Sequence, residues 1–405
     1  MAEEPYRYSK IKEKIKEQVM LGIDMTMECG DELLEEIIDS ALVECDEYIP
    51  YRDKMRIKKE IYNSLRRFDV LSELLEDDEI TDIMVNGTSD IYIDKNGVMQ
   101  SSGLRFDTSE KLEDVIQNIV AGHNRVVNES NPIVDVRMED GSRVNIVLPP
   151  VAVNGPALTI RKFPKSDFTM DRFIDMGTIS HEAAEFLKIA VKAGYNIFIS
   201  GGTGSGKTTF LNVLSAFIPN TERVITIEDS AELRIQGIDN IVRLETRNAN
   251  LEGKNEITMS DLIKSSLRMV PSRIIVGEVR GAEALDMMQA MNTGHDGSLS
   301  TGHANSAQDM ISRLETLVLT AKDFPLQAIR RQIASALDII VHLGRLRDRT
   351  RRVLEISEIL YYDGDIVLNT LFQYDDKAEC GGCLIKTDNA MKNTGKIIRK
   401  GFERA

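Results

Sequence analysis

The stretch Gly201-Gly202-Thr203-Gly204-Ser205-Gly206-Lys207-Thr208-Thr209 carries the most specific chemistry in this 405-residue chain. It satisfies the spacing G-x-x-x-x-G-K-[ST] in full. A strand-like run, Asn196–Ser200, precedes it, and a helical run through Phe210, Leu211 and Val213 follows. In that setting the glycines let backbone N–H groups turn inward around a β-phosphate, and the following helix points its positive end at the anion. Lys207 is then placed to reach the β- and γ-phosphates, and the Thr208 hydroxyl to ligate Mg²⁺. The residues Gly201 to Thr209 predict a binding loop for a nucleoside triphosphate.

Acidic residues follow at the ends of apolar runs. The strand-like Arg273–Val276 leads into Gly277-Glu278, and an acid at the carboxyl end of such a strand lies beside the γ-phosphate. Glu278 is the candidate for polarising or orienting an attacking water. A second run, Val224–Ile227, ends in Glu228-Asp229 at the same sheet edge. Glu228 is expected to assist the base, and Asp229 to hold a water on Mg²⁺. Thr293 to Ala304 then places His295 and His303 eight residues apart in a loop rich in Gly, Ser and Thr. With no Cys or third His nearby, a polar loop that senses the γ-phosphate and couples it to a neighbouring subunit is a better reading than a metal site.

The elements that must position these groups can be read outward from them. After a helix over Ser180–Ala193, with Ala183, Phe186, Leu187, Ala190 and Val191 on one stripe, strand-like runs NIFIS, RVITIE, NIVRLE, RIIVGEV and LDIIVHL alternate with helical runs to about Leu360. That alternation predicts an α/β fold, a largely parallel sheet covered on both faces. Upstream, alternating Ile83, Val85, Ile91 and Ile93, the turns Asn86-Gly87, Asn96-Gly97 and Asp140-Gly141, and a helix over Glu110–His123 predict an α+β domain. Residues 1–66 read as charged amphipathic helices, with Leu33, Leu34, Ile37 and Ile38 at helical spacing. The expected division is a helical region 1–66, an α+β domain 67–165, a linker 166–176, a phosphate-loop domain 177–362 and a tail 363–405.

Composition narrows the classes. Lys plus Arg number 50 and Asp plus Glu 65, so the net charge is 50 − 65 = −15, which weighs against a general nucleic-acid surface. No apolar stretch approaches the roughly 18 residues of a membrane span, and MAEEPYRYSK has no signal-peptide core. The expectation is therefore a cytosolic protein, with peripheral membrane contact left open. The four cysteines are far too few for a disulfide scaffold.

Taken together, the motifs GGTGSGKTT, TIEDSAEL, RIIVGEVRG and GHDGSLSTGHANS resemble those of the ATPases of type II and type IV secretion and type IV pili. The resemblance covers roughly residues 70 to 370. Within that superfamily, GHDGSLSTGHANS and ALTIRKF most resemble the CpaF-like ATPases of tight-adherence (Flp) pili, with the type IV secretion traffic ATPases close by. The resemblance implies a cytoplasmic homohexamer that hydrolyses ATP with Mg²⁺. It implies a PAS-like α+β domain before a RecA-like motor domain, with ATP at their junction. It further implies work on an inner-membrane platform protein, acting only indirectly on pilin or secreted substrate; the −15 charge and the lack of a basic, aromatic-interleaved strand pair argue against nucleic acid as a partner. Residue by residue it marks Gly201–Thr208 as the Walker A loop and Glu278 as the Walker B acid. Glu228 and Asp229 fall in the Asp box, and His295 and His303 in the His box. Arginines of the preceding domain are expected at the γ-phosphate, the candidates being Arg137, Arg143 and Arg161, with Arg247 and Arg280 ranked lower. The other members of the class, a conjugative traffic ATPase or a pilus-retraction motor, keep the same chemistry and change the cargo.

Two features stand apart. LGRLRDRTRRVLEI, read as part of a C-terminal helical region, carries five arginines from Arg345 to Arg352. It is expected to be a solvated basic turn, or else a dock for an acidic loop of the platform. Type II secretion ATPases of the superfamily that the motifs resemble can carry a tetracysteine zinc module, which needs two Cys pairs; Cys380-Gly381-Gly382-Cys383 would supply one, but Cys29 and Cys45 are remote and oddly spaced, so an intrachain zinc site is not expected.

Overall fold

The computed structural model describes residues 3–23, 30–45, 47–122, 126–163, 168–247, 249, 254–378 and 382–402. The chain divides into two units, Met1–Lys165 and Ser166–Ala405, each with its own hydrophobic cores.

The first unit begins with α1 (Glu3–Gly22), α2 (Asp31–Glu44) and α3 (Tyr51–Arg66). Apolar residues recur at every fourth position: Ile11, Ile15 and Val19, then Leu34, Ile38 and Leu42, then Ile57 and Ile61. Each set lines one helical face, and the faces meet in one core. Next come α4 (Leu71–Glu76), β1 (Ile80–Asn86), β2 (Asp90–Lys95), β3 (Val98–Ser101), α5 (Ser109–Ala121), β4 (Ile133–Arg137), β5 (Arg143–Val147) and β6 (Ala157–Arg161). Among the described residues the strands form one antiparallel sheet in the order β3-β2-β1-β6-β5-β4. Period-two alternation sends Ile83, Val85, Val144, Ile146, Leu158 and Ile160 into a core shared with Leu112, Val115, Ile116 and Ile119 of α5. The Thr108 hydroxyl starts α5 by accepting from Lys111 N at 3.3 Å.

The second unit runs α6 (Met170–Asp175), α7 (His181–Ala193), β7 (Ile197–Gly201), α8 (Lys207–Ser215), β8 (Val224–Glu228), β9 (Ile241–Glu245), α9 (Met259–Ser266), β10 (Arg273–Val276), α10 (Glu283–Asn292), β11 (Leu299–His303), α11 (Ala307–Ala321) and α12 (Leu326–Ala336). It ends in β12 (Ile339–Arg345), β13 (Arg351–Tyr362), β14 (Asp365–Asp375), β15 (Cys383–Lys386) and α13 (Gly395–Arg399). Among the described residues the sheet order is β15-β14-β13-β12-β7-β11-β10-β8-β9. From β12 to β9 the pairings are parallel, and from β12 to β15 antiparallel. Every residue of β7, β8 and β10 is buried, the signature of strands covered on both faces. Alternation divides them between two cores: Ile197, Ile199 and Ile275 pack with Leu187, Phe210 and Leu214, while Phe198, Ile225, Ile227 and Ile274 pack with Met288, Ile311 and Leu314.

Three expectations change here. Residues 166–176, read as a linker, include α6, where Met170 and Phe173 are buried. The Phe173 ring stacks on Phe210 of α8 at 5.8 Å between centroids. Residues 363–405, read as a tail, supply β14, β15 and α13. Glu358 of β13 anchors this segment, accepting from Asn369 Nδ2 and Lys392 N, both at 2.9 Å, and from Asn393 N at 2.6 Å. The arginine-rich stretch is not helical but a β-hairpin, β12–β13. Leu343 and Val353 are buried and paired across it, and Asp348 Oδ1 fixes the turn by accepting from Thr350 N at 2.9 Å. Cys380 and Cys29, weighed above for a zinc site, lie outside the described residues.

Candidate active site

A parallel sheet delivers the carboxyl ends of its strands to one edge. Here β7 ends at Gly201, β8 at Glu228, β10 at Val276 just before Glu278, and β11 at His303, which lies opposite Gly201 in the β7–β11 register. Residues scattered over a hundred positions therefore meet. Gly201 is required by close packing: a Cβ there would stand 2.5 Å from Leu343 O and 2.6 Å from Ser205 Oγ. Gly206, at φ +92°, caps α8 in a left-handed conformation that L residues with a Cβ avoid. The loop turns there, and the first N–H groups of α8 open toward it.

Lys207 begins α8 and is buried, at 7% exposure. Its Nζ donates to Gly201 O at 3.1 Å and Gly202 O at 3.0 Å, and lies 3.1 Å from His303 Nδ1. An ammonium only donates, so Nδ1 accepts and the imidazole proton is assigned to Nε2. That nitrogen stands 2.9 Å from Glu278 Oε1. The other carboxylate oxygen of Glu278 accepts from Arg280 Nη2 at 2.8 Å, and Arg280 Nη1 lies 3.8 Å from Asp229 Oδ2. The chain of contacts is Lys207–His303–Glu278–Arg280–Asp229.

The charges follow from this arrangement. Burial holds the Lys207 ammonium below the ordinary lysine value. Burial, then the Lys207 charge, pushes His303 below the ordinary imidazole value. Burial opposes the Glu278 charge, but the Arg280 hydrogen bond and the Arg280 and Lys207 charges outweigh it, and the carboxyl is held below its ordinary value. A buried cation whose three hydrogen-bond partners are neutral, beside a loop of backbone donors, fits a polyphosphate. For Mg²⁺ the donor set is also of the right kind: a hydroxyl, Thr208, in the first turn of α8, and the exposed carboxylate Asp229.

The other expected residues are placed as follows. Glu228 is buried, and its Oε1 accepts from Glu232 N at 2.8 Å and Leu233 N at 3.0 Å, fixing the loop after β8. His295 is not brought to the cluster: its Nδ1 lies 3.0 Å from Ala290 O, at the end of α10. The two histidines therefore face different groups. Arg247 makes a short bridge with Ile257, its Nε donating to Asn255 O at 2.9 Å. In the first unit, Arg137, Arg143 and Arg161 stand directly opposite one another on β4, β5 and β6, in a row that Asp82 of β1 continues. Arg161 Nε donates to Asp82 Oδ1 at 3.0 Å.

Sequence reasoning missed three groups. His342 of β12 is buried, its Nδ1 lies 2.9 Å from Ser200 Oγ, and burial pushes it below the ordinary imidazole value. Arg351 donates to the loop carbonyl of Gly204 at 2.9 Å. Arg273 is 1% exposed and bonds Glu222, Val191 O and Gly297 O, bracing α7 and the segment before β11 from the far end of the sheet. A polar residue inside an apolar strand, as in LDIIVHL and RIIVGEV, was the available signal.

The family model for Type II/IV secretion system protein matches residues 65–387, and the chain belongs to that family. Its second unit has the fold of a RecA-like ATPase. The conjugal transfer protein TrbB of Rhizobium radiobacter is 33% identical over 317 residues, which span 77% of this chain and 93% of TrbB. The type IV secretion system protein PtlH of Bordetella pertussis is 33% identical over 314 residues, 71% of this chain and 91% of PtlH. Among solved structures, the ADP-bound pilus retraction motor PilT is 19% identical, with a TM-score of 0.52 over 82% of this chain and 86% of that one. The Legionella pneumophila ATPase DotB is 19% identical, with a TM-score of 0.50 over 72% of this chain and 80% of that one. Those two likenesses are likenesses of fold. Among the described residues no helix is long and apolar enough to cross a membrane.

Proposed function

We propose that this chain is a cytoplasmic motor, peripheral at the inner face of the cell membrane, that hydrolyses ATP to drive a pilus-assembly or secretion machine. It works as a homohexamer on an inner-membrane platform protein and moves pilin or secreted substrate indirectly. The observation that carries this reading is the contact chain Lys207–His303–Glu278–Arg280 beside the loop Gly201–Thr209. Lys207 leaves its neutral partners for the β- and γ-phosphates. Glu278, already ionised, orients the attacking water and takes its proton. His303 reports the exchange, because the nitrogen that now accepts from Lys207 is released when Lys207 turns to phosphate. Thr208, with Asp229 through a water, is assigned to Mg²⁺, which supplies neutralisation of charge on the phosphates.

Two cargoes remain within this reading. GHDGSLSTGHANS and ALTIRKF favour a tight-adherence pilus, and the similarity to TrbB and PtlH favours a conjugative or type IV secretion traffic ATPase. Capture of the polytopic partner from the native membrane, followed by its sequencing, separates them. The chemistry is tested by phosphate release from Mg-ATP. Wild type should turn over, and Lys207→Ala should lose at least about 100-fold, as for removal of a main charge-stabilising group. Equal turnover by the two overturns the site.

A further inference from the structure

Arg351 lies 147 residues from the loop it touches. The β12–β7 pairing sets Leu343 opposite Gly201, and the β12–β13 pairing sets Arg345 opposite Arg351. The hairpin thus rises from the same sheet edge as the phosphate-binding loop. Arg351 Nε donates to Gly204 O at 2.9 Å. Its Cδ stands 3.4 Å from the position a Cβ on Gly206 would take. These two contacts lay the side chain across the loop from Gly204 to Gly206. Arg352 turns the other way, donating from Nη1 to Met176 O at 2.7 Å, and so braces the strand that presents Arg351.

The partner of Arg351 in the loop is a carbonyl rather than a carboxylate, and Gly201–Thr209 contains no acid. The Nε bond uses one of five N–H donors on a guanidinium whose fork matches phosphate geometry. We propose that Arg351 is a nucleotide-binding residue, its terminal amino groups bonding the α- or β-phosphate that ADP and ATP share. This rests on the reading of Gly201–Thr209 as a nucleotide loop. It adds a cation from a strand far downstream, on a loop carbonyl that Lys207 does not use. It also gives the arginine-rich hairpin a task at the nucleotide for one of its five arginines, in place of a purely solvated turn.

The test is equilibrium binding of Mg-ADP and Mg-ATP to the full chain, with steady-state hydrolysis, for wild type, Arg351→Met, Arg351→Lys and Arg347→Met. Arg351→Met keeps an unbranched apolar stem over Gly206 and removes the charge. It should weaken ADP and ATP alike by about tenfold, the loss of one charge-assisted hydrogen bond. KM for ATP should rise by a similar factor, with kcat within about threefold of wild type, as for a contact made equally in ground and transition states. Arg351→Lys should recover part of the affinity. Arg347→Met removes a charge from the same hairpin and should stay within about twofold, because a screened exposed charge acts weakly at a distance. The proposal is overturned if Arg351→Met binds both nucleotides as wild type does, if only ATP binding or only kcat falls, or if Arg347→Met loses as much. Where Arg351→Met does not fold, Arg351→Gln is read against the same limits. Wild type that binds neither nucleotide overturns the site reading itself, which is a different result from wild-type binding with Arg351→Met unaffected.

Discussion

Replacing Glu278 by Gln is a small change in shape with a large expected effect. In the resting arrangement Oε1 faces His303 Nε2 at 2.9 Å and Oε2 accepts from Arg280 at 2.8 Å. A carboxamide has one oxygen and one NH₂. With NH₂ toward Arg280, two donors face each other. With NH₂ toward His303, the imidazole must move its proton to Nδ1, where the Lys207 ammonium stands 3.1 Å away. With NH₂ toward Arg280 the Arg280 hydrogen bond is lost, worth about 1–3 kcal/mol when fully buried and less here, where the Glu278 side chain is 21% exposed. The larger loss is chemical, since the group that takes the proton from water contributes typically about 10²- to 10⁴-fold. Glu278→Gln should therefore lower kcat by about 10²- to 10⁴-fold, with the Kd for Mg-ATP within about threefold of wild type. Phosphate release under saturating ATP, binding of a fluorescent nucleotide and thermal unfolding read the three quantities separately. A kcat within about fivefold of wild type in a folded protein that binds ATP refutes the assignment of Glu278 as the water-orienting group.

Two further predictions concern stability. Arg273→Met removes the buried guanidinium that bonds Glu222, Val191 O and Gly297 O, so unfolding of the full chain in urea should show a loss of about 3–5 kcal/mol in the second unit's transition; a loss under about 1 kcal/mol contradicts the bracing role. His303 and His342 are both held below the ordinary imidazole value, so the unfolded chain takes up protons first as pH falls. Stability should drop on acidification through the ordinary imidazole range, and His342→Gln should flatten that part of the profile; an unchanged profile in the variant contradicts it.

Much of this site was legible because its signals are local. The loop Gly201–Thr209 is contiguous, and Glu278 follows a short apolar run, but His303, in a stretch that reads as a polar loop, instead ends the strand β11, LSTGH, which sheet pairing rather than apolar pattern places beside β7. The resemblance marks Arg137, Arg143 and Arg161, and strand pairing then sets them in one row. What stayed hidden depends on contacts distant in sequence. Arg351 meets Gly204 only because β12 pairs with β7 and then turns back. The hairpin read as helical because Arg and Leu are good helix formers, whereas tertiary pairing across Leu343 and Val353 decided otherwise. Residues 166–176 looked like a linker from Pro164, polar residues and a closing Gly, yet Phe173 had a partner ring waiting on α8. Glu358, a carboxylate at 0% exposure, gave no local sign that three donors from residues 369–393 would surround it.

The most direct measurement is an experimental structure of the Glu278→Gln chain with Mg-ATP. The Lys207 Nζ should have left Gly201 O, Gly202 O and His303 Nδ1 and should bond the β- and γ-phosphates, with His303 Nδ1 released. Nucleotide bound away from Gly201–Thr209, or Lys207 still on its three neutral partners with ATP in place, would contradict the account.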